Sequence, residues 1–83
     1  MQFEYTTKGT CSRKIFFEIE DGKVYNVEFL SGCNGNLQGI GKLVEGMDVD
    51  EVIRRIDGIR CGGKPTSCTD QLATALKQAK EKL

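Results

Sequence analysis

Four cysteines stand in a chain of 83 residues, each in a turn-like setting: Gly9-Thr10-Cys11-Ser12, Ser31-Gly32-Cys33-Asn34-Gly35, Arg60-Cys61-Gly62-Gly63 and Thr66-Ser67-Cys68-Thr69-Asp70. A structural cysteine usually sits in an apolar run, where its thiol acts as a small hydrophobe. These four fall instead where chain elements meet, which suits metal ligands or reactive thiols. Four thiolates make a closed tetrahedral zinc site; thiolates alone do not separate zinc from an iron–sulfur cluster. One metal site made by Cys11, Cys33, Cys61 and Cys68 is the leading reading. It competes with a redox dithiol or paired disulfides, for which four cysteines allow three pairings, and with unrelated thiols. No pair of CxxC knuckles is present, so the pattern is not a zinc ribbon or RING.

Composition narrows the chemistry further. There is no histidine, which removes the commonest general base, the commonest nitrogen ligand and any cysteine–histidine catalysis. Twelve basic residues balance twelve acidic ones, which argues against binding to a phosphate backbone. Aromatic residues are few, so a base-stacking platform is not expected either. No apolar run reaches membrane-spanning length, and Met1-Gln2-Phe3-Glu4-Tyr5 lacks the pattern of a secretory signal. The expected compartment is the cytoplasm, where thiols stay reduced. A chain of this size is expected to be a single domain over residues 1–83. Its modest core would gain from a metal or a partner.

The elements that must position the cysteines follow from periodicity. Residues 2–7 alternate, with Phe3 and Tyr5 on one side, and predict a short strand. Residues 14–20 predict a second, with Ile15, Phe17 and Ile19 on one face; Asp21-Gly22 marks a hairpin, and residues 24–30 form its return. A two-residue loop would set Phe17 against Asn26 and Ile15 against Glu28. A three-residue loop with Gly22 left-handed would instead gather Tyr25, Val27 and Phe29 onto the apolar face. Since a one-residue slip turns every side chain over, the three-residue loop is the expectation.

Beyond Cys33 the period becomes helical. Leu37, Ile40 and Val44 predict a first helix ending at Gly46. Its Gly35, Gly39 and Gly41 are costly in a helix and suggest that another backbone comes close. Asp48 with Glu51 has capping-box spacing for a second helix carrying Val49, Val52, Ile53 and Ile56, ended by Gly58. Ser67 with Asp70 repeats that spacing for a third, lined by Leu72, Ala73, Leu76 and Ala79. The fold class is therefore α+β: a three-stranded antiparallel sheet followed by three helices packed on one face. Cys11, Cys33, Cys61 and Cys68 all fall at element boundaries, and Cys68, opening a helix, gains from the positive end of its dipole. Three further features carry less. Asp48, Asp50, Glu51 and Asp57 read as a solvated helix face. The Ser31–Asn36 glycine-rich stretch could hold an anion but lacks the P-loop ending, and Arg54, Arg55 and Arg60 read as surface residues.

The run Cys61-Gly62-Gly63-Lys64-Pro65-Thr66-Ser67-Cys68-Thr69-Asp70-Gln71-Leu72-Ala73 resembles the signature of the TSCPD domain, with Thr69 where that signature has proline. Gly9-Thr10-Cys11-Ser12, Gly32-Cys33-Asn34-Gly35-Asn36-Leu37 and Leu43-Val44-Glu45-Gly46 resemble its stand-alone members. The resemblance implies an accessory domain of adenosylcobalamin-dependent ribonucleotide reductases, whose cysteines bind zinc; short members carry the label ribonucleoside-diphosphate reductase. The implied partner is a ribonucleotide reductase subunit. A chain of this length has no room for a reductase barrel, so it is expected not to be an enzyme by itself. More distantly, the order of elements is similar to U-type iron–sulfur scaffold proteins, with cysteines at the places of Cys11, Cys33 and Cys68. That implies an alternative role as a cluster scaffold or carrier. Ser12 and Arg13 stand where those scaffolds carry an aspartate. A thiol redox donor acting through Cys61 and Cys68 is the third reading.

Overall fold

The structure is a computed structural model that describes residues 1–10, 12–30 and 34–83, without the side chain of Asn34. Strands β1 (Gln2–Thr6), β2 (Lys14–Glu20) and β3 (Lys23–Leu30) form one antiparallel sheet in the order β1-β2-β3. Helices α1 (Asn34–Val44), α2 (Val49–Ile56) and α3 (Cys68–Glu81) follow. This is the expected α+β arrangement. Alternation along β2 turns Ile15, Phe17 and Ile19 inward. They meet Val24 and Val27 of β3, Val44, Val49 and Val52 from the first two helices, and Leu72, Ala75, Leu76 and Ala79 of α3. Ile15, Val24, Val52, Leu72 and Leu76 are sealed from solvent, each contributing roughly 1.5–3 kcal/mol of hydrophobic stabilisation. Phe3 stacks on Phe17, its partner across the β1–β2 ladder, with ring centroids 5.5 Å apart.

The hairpin departs from expectation. Its loop is two residues, Asp21 and Gly22, both with positive φ (51° and 74°), so Glu20 faces Lys23 and Ile19 faces Val24. Such a turn matches the twist of the flanking strands, which the three-residue loop would have to recover otherwise. The slip this should cause is absorbed by a bulge: beyond it Phe16 pairs with Glu28 and Ile15 with Phe29. Asn26 takes the extra position at φ 53°, a left-handed geometry that asparagine tolerates. Its N–H leaves the ladder for Glu45 Oε1 at 2.8 Å, and its side-chain amide donates to Glu18. Val24, Val27 and Phe29 thus share the inner face, and Tyr25, expected there, pairs with Glu18 on the other.

The glycines of α1 also separate. A Cβ on Gly41 would come within 2.7 Å of the Val27 carbonyl oxygen, while Gly35 and Gly39 have nothing within 4 Å. Close backbone approach therefore explains Gly41 alone. At α2 the capping box does not form: Asp48 makes no side-chain cap bond, and Glu51 instead accepts from Arg54 and from Arg55 Nε, the latter at 2.5 Å. The acidic residues of this region are largely paired, Asp57 with Lys77 at 2.8 Å and Asp50 with Lys80. No described helix is long and apolar enough to cross a membrane.

Candidate metal centre

Of the four expected ligands, Cys61 and Cys68 are described; Cys11 and Cys33 lie outside the described residues, as do Ser31 and Gly32 of the glycine-rich stretch. Among the described residues no three cysteine, aspartate or glutamate side chains form a metal-holding group. The geometry that can be read is that of the segments carrying the cysteines.

Cys68 is the first residue of α3 and is buried, 8 % exposed. The helix start is fixed by its cap. Ser67 Oγ accepts from the Asp70 N–H at 3.0 Å and donates to the Ile59 carbonyl at 2.6 Å. Asp70 does not reach back to Ser67 as a full capping box would. Its carboxylate accepts from the Gly58 N–H at 2.6 Å and the Thr66 hydroxyl at 2.5 Å. The Thr66 hydroxyl, then the Gly58 N–H, hold its pKa below the usual carboxylate range. The chain between α2 and α3 is in this way tied to the first turn of α3. Within it, Cys61 donates its N–H to the Thr66 carbonyl at 3.2 Å and accepts from the Lys64 N–H at 3.0 Å; its thiol is exposed.

The β1–β2 connection docks on the same helix start. The Lys8 N–H donates to Gln71 Oε1 at 3.0 Å, and Gln71 Nε2 donates to Thr66 Oγ1 at 3.2 Å. The Ser12 hydroxyl donates to Cys68 Sγ at 3.2 Å. Ser12 is 3 % exposed, and its carbonyl is held by the Thr7 hydroxyl at 2.5 Å. The next residue, Arg13, donates its N–H to the Leu30 carbonyl at the end of β3, at 2.7 Å. The neighbour of Cys11, the strand leading to Cys33, the turn of Cys61 and the helix opened by Cys68 are thus joined in one hydrogen-bonded set. No buried side-chain nitrogen or oxygen among the described residues lacks a partner.

Sequence reasoning missed Ser12 and Gln71. Gln71 had a signal, being a polar residue beside the apolar stripe of α3. Ser12 had none, since its sulfur partner lies 56 residues on. The arginine reading holds: Arg54, Arg55 and Arg60 are all exposed, the first two paired with Glu51.

Cys68 thus places a buried sulfur, with a hydroxyl donor on it, at the start of a 14-residue helix. Comparison with curated proteins finds no match, and comparison with solved structures finds none. A family model does match, that of the TSCPD domain, over residues 1–80. The chain therefore belongs to the TSCPD domain family, a domain known in association with ribonucleotide reductases.

Proposed function

We propose that this protein is a zinc-binding accessory module for ribonucleotide reduction, with Cys11, Cys33, Cys61 and Cys68 as thiolate ligands and no catalysis of its own. The observation that carries the reading is the contact of Ser12 with Cys68 Sγ: the chain neighbour of one cysteine lies against the sulfur of another that is remote in sequence. The ties from Arg13 to Leu30 and from Cys61 to Thr66 support it for the other two segments. Zinc bound by four thiolates has no open position for substrate or water. It would serve as a cross-link between the sheet and the helices, and its binding energy would add to folding energy. The role of such a module is to present a surface to a reductase subunit in the cytoplasm.

Elemental analysis of protein purified without added metal tests the site. About one zinc per chain is expected, with Cys61→Ser and Cys68→Ser each holding much less. Under about half an equivalent of any metal in the wild type would overturn the reading. Iron with sulfide and visible colour would redirect it to a cluster scaffold. Affinity capture with a purified reductase subunit tests the role, and no retention under reducing conditions would count against it.

A further inference from the structure

We infer that Ser12 is a positioning residue for the metal centre, holding the Cys68 thiolate by an outer-sphere hydrogen bond and slowing loss of the metal. The inference rests on the four-thiolate reading above and goes beyond its ligand set. Ser12 Oγ stands 3.2 Å from Cys68 Sγ, a hydrogen-bonding distance for a hydroxyl on sulfur. The side chain is almost wholly enclosed, so water does not compete for the sulfur from that side. Its backbone is held by Thr7. The Thr7 hydroxyl holds the Ser12 carbonyl at 2.5 Å, and the Thr7 N–H holds the Arg13 carbonyl at 3.0 Å. Thr10 Oγ1 lies 3.3 Å from Ser12 Oγ and supplies a second partner for the hydroxyl.

Such a donor has two effects on a bound thiolate. It takes up part of the sulfur's negative charge, which a site of four thiolates and one divalent ion carries in excess. It also holds the sulfur in one orientation, so that the ligand is in place without reorganisation when metal binds. Partners outside the ligand shell act in this way on metal sites in general, and their removal typically lowers metal affinity about 10–100-fold. Because Ser12 belongs to the β1–β2 connection and Cys68 to α3, the bond also links occupancy of the site to docking of that connection on the helix.

The test uses the full chain loaded with zinc, and in parallel with cobalt(II), as wild type, Ser12→Ala and Ser12→Thr. Zinc transfer to an excess of chromogenic chelator should be roughly tenfold or more faster from Ser12→Ala, with Ser12→Thr, which keeps the hydroxyl, close to wild type. The sulfur-to-cobalt charge-transfer band of Ser12→Ala should move to longer wavelength, because removing the donor raises the energy of the sulfur electrons. Circular dichroism confirms that each variant is folded. An unchanged release rate from Ser12→Ala overturns the proposal and leaves the zinc reading standing. Faster release with an unmoved cobalt band would mean that Ser12 acts only through packing, and overturns it too. A wild type that takes up neither metal overturns both readings together.

Discussion

The two ends of the sheet are built by different kinds of bond. At the hairpin end most joints run from main chain to main chain, although Glu45 takes the Asn26 N–H and Glu20 the N-terminal amine. The Val24 N–H donates to the Met47 carbonyl at 2.9 Å, the Gly46 N–H to Val24 at 2.7 Å and the Val49 N–H to Gly22 at 2.9 Å, while Lys23 bridges Asp48. At the cysteine end, side chains make many of the joints: Thr7 on Ser12, Gln71 on Lys8 and Thr66, Ser67 on Ile59, Asp70 on Gly58 and Ser12 on Cys68. The first construction depends on backbone geometry and tolerates many side chains. The second depends on particular residues, and so can be coupled to something bound there. Two helix starts with the same spacing of cap residues show the contrast. Asp48, in a segment already paired to the hairpin, makes no side-chain cap bond. Ser67 caps α3 by accepting from the Asp70 N–H, and the Asp70 carboxylate fastens the preceding loop to the helix.

The largest expected break of this contrast is metal removal. On the zinc reading proposed above, stripping the metal should cost about 4 kcal/mol for a site loaded a thousandfold above its Kd, lowering the thermal midpoint by about 15 °C or more. Hydrogen exchange should rise at residues 7–13 and 57–70 while Val24 and Val49 stay protected. Equal loss of protection at both ends would mean that the ends are not distinct. Next, Gln71→Ala removes a buried residue that accepts from Lys8 and donates to Thr66. A loss of about 1–3 kcal/mol is expected in urea unfolding. Smaller again, Ser67→Ala should cost about 1 kcal/mol as a lost cap, whereas Asp48→Ala should stay within about 0.5 kcal/mol. Equal costs for the two would erase the difference between the helix starts.

The smallest effect is one of pH. The pKa of Asp70 is lowered below its ordinary 3.8 by the Thr66 hydroxyl and the Gly58 N–H. A depressed carboxylate gives stability that is fully present above its unfolded pKa and is lost as pH falls through the folded one. Wild type should therefore lose stability below about pH 4, and Asp70→Asn should lose less over that range while starting lower at neutral pH. Arg54 and Arg55 hold Glu51 low at the other end, but these ion pairs face solvent and salt should screen them. An acid limb unchanged in Asp70→Asn would remove Asp70 from the cause.

Much of the fold was legible because its causes are local. Alternation in residues 14–20 and the three- and four-residue spacing in α2 and α3 report which side is buried, whatever the partner. The hairpin was not legible in the same way, because alternation offers only two uniform registers and the protein keeps neither throughout. A two-residue turn at one end and the other register at the far end become compatible once Asn26 takes a left-handed φ, and nothing in alternation announces a bulge. Glu51 does not serve the expected capping box because Arg54 and Arg55, three and four residues on, compete for the same carboxylate with charge.

By itself the sequence determined the layered α+β plan, the three helix starts within a residue or two, and the placing of Cys61 and Cys68 at element boundaries. Periodicity and local chain geometry suffice for these. Only the tertiary structure decided that Gly41 is the close-approach glycine among those of α1, that Gln71 clamps the β1–β2 connection to α3, and that the Ser12 hydroxyl meets the Cys68 sulfur. Each of these joins residues far apart along the chain, and such a contact exists only after the sheet has packed on the helices and brought their ends together.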